Sequence, residues 1–144
     1  MAKSRYMSRF KWLIVIVLLT IITVGVIYMF TLNKKSEEER RNREYEVSLV
    51  KALKNSYEGI EEIYISNPSY TSIPSEAWGA DVKLKFFDGT LKEHVLAFDK
   101  NVKKIRIGVY NNEDEEFQHF LESRRGLTKS KVKVRYSDGS EEEQ

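Results

Sequence analysis

The chain has 144 residues, so one short apolar segment and one small domain are its natural division. The formal net charge of +2 is misleading: Lys3, Arg5, Arg9 and Lys11 precede residue 33 without any acid, which leaves 20 Lys+Arg against 22 Asp+Glu, a net −2, in residues 33–144. That part of the chain lacks the basic excess on which nucleic-acid binding rests, and 0 cysteines exclude disulfides, thiol catalysis, thiolate metal sites and a lipidated cysteine.

Residues 1–11 read as a basic tail. Trp12–Leu32 then runs without a charge or a proline, WLIVIVLLTIITVGVIYMFTL. As a helix these 21 residues are about 32 Å long, against a hydrocarbon core of about 30 Å. The expectation is a transmembrane helix whose partner is the lipid bilayer, edged by Tyr6, Phe10 and Trp12 on one side and by Tyr28 and Phe30 on the other. Thr23-Val24-Gly25 is a poor cleavage site, and cutting there leaves an apolar new terminus, so a retained anchor is expected over a removed signal peptide. Thr20 and Thr23 are available for bonds between helices, but there is no GxxxG pair. Lys34, Lys35, Arg40, Arg41 and Arg43 almost balance the basic flank on the other side. A short, purely basic tail resists crossing, which predicts a single-pass cell-membrane protein with a cytoplasmic N-terminus and an extracytoplasmic domain.

Ser36-Glu37-Glu38-Glu39 has the form of a capping box and predicts a new helix there. Residues 33–48 read as a juxtamembrane stalk, polar on every side at first, and residues 49–144 as a small domain. Leu49, Val50, Leu53 and Tyr57 form one apolar stripe, and Gly59 is placed as a left-handed stop. Ile63 and Ile65 alternate as in a short strand. Ser66–Glu76 holds both prolines and reads as a loop, in which Tyr70 and Ile73 form either a contact surface or a lid folded back on the core.

Trp78, Ala80, Val82, Leu84 and Phe86 alternate with polar or small residues as in a strand, which Asp88-Gly89 ends in a turn. A two-residue loop there sets Phe86 opposite Leu91 and Val82 opposite Val95. A longer loop that takes in Phe87, with a bulge at Gly89, sets Trp78 opposite Phe98 and Ala80 opposite Leu96. Val95–Phe98 is apolar on both faces and predicts cover on both. Val102–Tyr110 reads as a further strand, Asn112 as the cap of a second helix with Phe117, Phe120 and Leu121 inward, and Lys131–Tyr136 as a last strand.

The segments VKLKFFDGTLKEH, 82–94, and VKVRYSDGSEEEQ, 132–144, repeat one pattern. A duplicated half-domain and two independent hairpins both account for it, and the acidic EEEQ of the second copy reads as too repulsive to return as a strand. The fold expected is α+β: a transmembrane helix, a stalk helix and a small antiparallel sheet of about five strands packed by two helices, in a cystatin-like arrangement with one helix across a curled meander.

No catalytic constellation is present. His94 and His119 have no nucleophile or metal-ligand spacing around them and read as surface histidines. The acidic runs read as solvated caps, and Asp88-Gly89 and Asp138-Gly139 lack the repeating oxygen ligands of a calcium loop. The expectation is a protein that is not an enzyme and takes no cofactor or metal. Lys83, Lys85, Lys104, Arg106, Lys133 and Arg135 stand at outward strand positions. Together they form a candidate basic face for anionic lipid, wall polymer or an acidic protein, although lysines on strands also guard against edge pairing. With Tyr70 and Ile73 they are the candidate binding residues.

Tyr57-Glu58-Gly59-Ile60-Glu61-Glu62-Ile63-Tyr64-Ile65, after an anchor and a charged helix, resembles the layout of small Gram-positive signal-anchored proteins of unknown function with a compact α+β ectodomain. Some proteins of that layout are immunity factors for secreted antibacterial toxins. The resemblance implies a non-enzymatic domain that binds a protein partner, and it assigns no functional residue. The alternative is an accessory or scaffold subunit of a cell-envelope membrane complex.

Overall fold

A computed structural model describes residues 2–144, with side chains from Ser8 onward; of the residues named above, Lys3, Arg5 and Tyr6 have side chains outside that range. The element order is α1 (Ala2–Ser56), β1 (Ile60–Thr71), β2 (Ala77–Phe86), β3 (Leu91–Asp99), β4 (Lys104–Arg106), α2 (Asn112–Ser123), β5 (Lys133–Arg135) and β6 (Glu141–Glu143). The chain divides into two compact units, one up to Arg40 and one from Arg41 to Gln144.

In the first unit the apolar run is helical throughout and every large apolar side chain from Phe10 to Leu32 is exposed. This is the one helix among the described residues that is long and apolar enough to cross a membrane, with a mean hydropathy of 2.9 in its most apolar stretch. Thr20 and Thr23 donate their hydroxyls to the carbonyls of Ile16 and Leu19 at 2.9 and 2.8 Å, so they are satisfied within their own helix. The new helix expected at Ser36 does not start there, because α1 is unbroken to Ser56. Residues 33–40 are mostly Lys, Glu and Arg, which propagate an existing helix at little cost, and nothing among them forces it to restart.

In the second unit, burial on α1 begins at Tyr45 and Glu46 rather than at Leu49. Arg41 and Arg43, charged residues of the expected stalk, lie with their guanidinium groups 4.0 and 3.9 Å from the ring centres of Tyr70 and Tyr136. Arginine stems cover apolar surface in this way, which hydrophobicity alone does not reveal. Gly59 takes φ +75 just past the helix, as expected of the stop, and Ile60 after it is fully buried.

The sheet has six strands in the order β4-β3-β2-β1-β5-β6. It is mixed rather than antiparallel, because β5 lies parallel to β1, pairing Ile63 with Val134. The β2–β3 ladder takes the second of the two registers, with Trp78 opposite Phe98, Ala80 opposite Leu96 and Val82 opposite His94. That register leaves every even-numbered residue from Trp78 to Phe86 buried on the inner face. The helices lie on this face: Tyr45 of α1 stacks on Trp78 at 5.2 Å, and Phe120 of α2 meets Phe86 edge-on at 5.2 Å. Leu49, Leu53, Ile63, Leu84, Leu121 and Val134 belong to the same core.

Several local expectations are corrected. The first half of the proline loop joins β1, which bulges between Ser66 and Ser69 around Asn67 at φ +50; a bulge is where a strand tolerates a proline such as Pro68. Val95 is 60% exposed, so the end of β3 is covered on one face only. The strand expected over Val102–Tyr110 shrinks to three residues, and Val109 and Tyr110 are exposed. Beyond Arg106 the backbone turns to cap α2, with the Tyr110 and Asn111 amides donating to Asp114 Oδ2 at 3.0 and 3.3 Å. The cap is therefore Asn111, not Asn112, in a capping box with Asp114. The acidic EEEQ does return as a strand: β6 pairs with β5, and Val132 and Gln144 exchange backbone hydrogen bonds of 2.6 and 2.9 Å. All three glutamates are exposed, Glu142 accepts the Tyr136 hydroxyl at 3.0 Å and Glu141 lies 3.9 Å from Lys133, which relieves the repulsion expected of three adjacent acids.

Candidate functional site

Both helices pack on one face of the sheet, so the other face is bare. Alternation and register place all six candidate basic residues on it: Lys83 and Lys85 on β2, Lys104 and Arg106 on β4, Lys133 and Arg135 on β5. Acids interleave with them. One row across the strands reads Glu93, Lys83, Tyr64, Arg135, Glu141, and the next reads Leu91, Lys85, Glu62, Lys133, Glu143. The face as a whole is mixed in sign, unlike the uniformly basic one expected from the strand lysines alone. The acids come from neighbouring strands whose register is set by distant pairing, so no local pattern announces them.

The middle of this face is concave. A depression of about 710 Å³ is lined by Tyr64, Ser66, Lys83, Lys85, Arg135 and Glu62, with Leu91 at one edge. Pockets that hold ligands are of roughly 300–1,000 Å³. Tyr64 stands between Lys83 and Arg135 by register. Its hydroxyl donates to Glu62 Oε2 at 2.6 Å, and that hydrogen bond to a carboxylate raises the phenol above its ordinary pKa. Lys85 lies 3.9 Å from Glu61, and Lys133 lies 3.9 Å from Glu141. Among the described residues no carboxylate lies within 4.0 Å of Lys83 or Arg135. Three cations and one carboxylate therefore line the depression, and that carboxylate already accepts the tyrosine hydroxyl.

Tyr70 and Ile73 lie elsewhere. Tyr70 is half-buried beside Tyr45, ring centres 6.1 Å apart, and so folds back on the core. Ile73 stays at the tip of the β1–β2 loop, 82% exposed. A smaller hollow of about 150 Å³ opens near that loop between Tyr45, Glu76, Trp78 and Arg106. There the Tyr45 hydroxyl donates to Glu76, and burial together with that bond pushes the phenol well up.

His94 is a correction. It is not a free surface histidine: its ring stacks on Phe117 at 4.5 Å and its Nε2 lies 2.9 Å from Asp114 Oδ1, with both side chains largely covered. Asp114 is also the third-position partner of Asn111 in the capping box of α2, so the pair ties that helix to β3. Eighty-two and ninety-four are opposed in the ladder, which turns His94 inward beside Val82, a placement that only the register reveals. His119 is exposed.

No protein-family model, curated protein or solved structure matches this chain.

Proposed function

We propose that the protein is held by its apolar helix in the cell membrane, with the N-terminus cytoplasmic, and presents a small binding domain outside it to a protein partner. The role is of the immunity or inhibitor type and involves no catalysis. The observation that carries this reading is the bare sheet face: two helices close the core from one side, and the opposite side keeps a ligand-sized depression edged by charge. The exposed apolar helix, with its threonine hydroxyls satisfied internally, supports the anchor, because lipid tolerates no unpaired polar group. The meander of β1 to β4 with α1 against its inner face supports a cystatin-like reading of that part of the domain.

Three measurements test the reading together. Alkaline carbonate should leave the protein in the membrane pellet. Protease added to intact cells should remove the domain. A partner cross-linked in cells should be the same when residues 1–40 are replaced by an unrelated single-pass anchor of the same orientation, and should be lost with Lys83→Glu/Arg135→Glu. Release by carbonate, protection from the protease, or a partner unaffected by the double substitution contradicts it. A partner that requires residues 1–40 favours an accessory or scaffold subunit instead.

A further inference from the structure

Tyr64 is flanked by two cations one strand away on either side. Strands lie about 4.8 Å apart, which sets the Lys83 and Arg135 backbones about 10 Å from one another. Both side chains are long enough to converge on a group seated over Tyr64, and neither is held by a carboxylate among the described residues. Arginine offers a planar fork that matches a carboxylate, and the tyrosine adds a hydroxyl beside it.

The distribution of charge selects the kind of anion. Across the whole face, Lys83, Lys85, Lys104, Arg106, Lys133 and Arg135 are interleaved with Glu62, Asp81, Glu93, Asp99, Glu141 and Glu143. A broad anionic surface such as a bilayer meets both signs and gains little. A narrow chain that follows the depression meets Lys83, Lys85 and Arg135 against one lining acid, Glu62, which already accepts the Tyr64 hydroxyl. We infer that the depression over Tyr64 receives an acidic segment of the partner protein, with a carboxylate seated between Lys83 and Arg135 and flanking apolar atoms against Leu91. This inference rests on the protein-binding role proposed above.

A fluorescently labelled hexaglutamate peptide, titrated at low salt into the full chain in zwitterionic nanodiscs, tests it by anisotropy. The expected result is saturable binding that weakens at least tenfold in Lys83→Glu/Arg135→Glu and stays unchanged in Lys129→Glu, a charge reversal at an exposed position away from the depression. Absence of saturable binding, or equal weakening by the two variants, overturns the inference. So does binding of residues 41–144 to phosphatidylglycerol vesicles that the double variant alone abolishes, because the site then serves lipid. The two levels separate cleanly. A partner that cross-links to the wild type and is lost in the double variant, while the peptide fails to bind, removes the acidic segment and leaves the protein-binding role; no partner cross-linked to the wild type removes that role.

Discussion

Arg43 and Arg124 perform the same task at opposite ends of the sheet. Arg124 lies 4.9 Å from the Phe86 ring centre and bonds to Asp88; Arg43 lies 3.9 Å from the Tyr136 ring centre and bonds to Asp138. Each aspartate also accepts the amide two residues on, Thr90 at 3.0 Å and Ser140 at 2.9 Å. Hydrogen bonds from the Thr90 and Ser140 hydroxyls, then from their amides, then the arginine, bring each carboxyl down to about 2. A carboxyl lowered in the folded state binds its proton more weakly than in the unfolded chain, so its stabilising effect is present above about pH 4 and is lost as the pH falls toward 2. Acid titration of thermal stability should therefore show a steep limb between pH 4 and 2, and Asp88→Asn/Asp138→Asn should flatten it. Glu46 behaves oppositely. Burial raises its carboxyl although the Ser137 amide donates to it at 2.8 Å. Glu46→Gln keeps an acceptor and removes the buried charge, so it should raise the melting temperature at pH 7, with the gain shrinking toward pH 4.

The two Asp-Gly hairpins are one element used twice. In both, the first aromatic residue donates its amide to the carbonyl four residues on, Phe86 to Thr90 and Tyr136 to Ser140, each at 2.9 Å. Gly89 and Gly139 take φ +87 and +86 with open space where a side chain would stand. Alanine at either glycine should cost about 1 kcal/mol in chemical denaturation, from backbone strain alone. Leu53→Ala, in the closed core, should cost about 2–5 kcal/mol by the same measurement. The contrast between local and distant information explains what could be read in advance. Alternation from Trp78 to Phe86, the Gly59 stop and the stripe from Leu49 to Tyr57 are local, and their residues lie buried or turned as their spacing requires. The parallel pairing of β1 with β5 and the return of β6 depend on contacts across tens of residues. A row of glutamates looks unfit for a strand until Tyr136 and a backbone ladder are set beside it. The cap at Ser36 is a local signal overruled by the cost of restarting a helix that is already running. For the depression, the lysines and arginines were visible, but Tyr64 and Glu62 enter it only through register.

At the scale of the whole molecule, the second unit from Arg41 onward carries its own core, and every candidate binding residue lies within it. Its sheet is not equally secured along its width. β4 and β6, three residues each, form the edges, whereas β1 has a neighbour on both sides and follows directly from the helix that fills the core. Backbone amides so enclosed exchange with solvent deuterium only when the domain opens globally, whereas those of the edges exchange by fraying. Tyr64 projects from this innermost strand. A visitor to the bare face would thus meet the stiffest strip of the protein, already shaped before contact, and because the unfolded chain cannot hold it, its arrival should slow the exchange of β1 most while leaving the fraying of the edges nearly untouched.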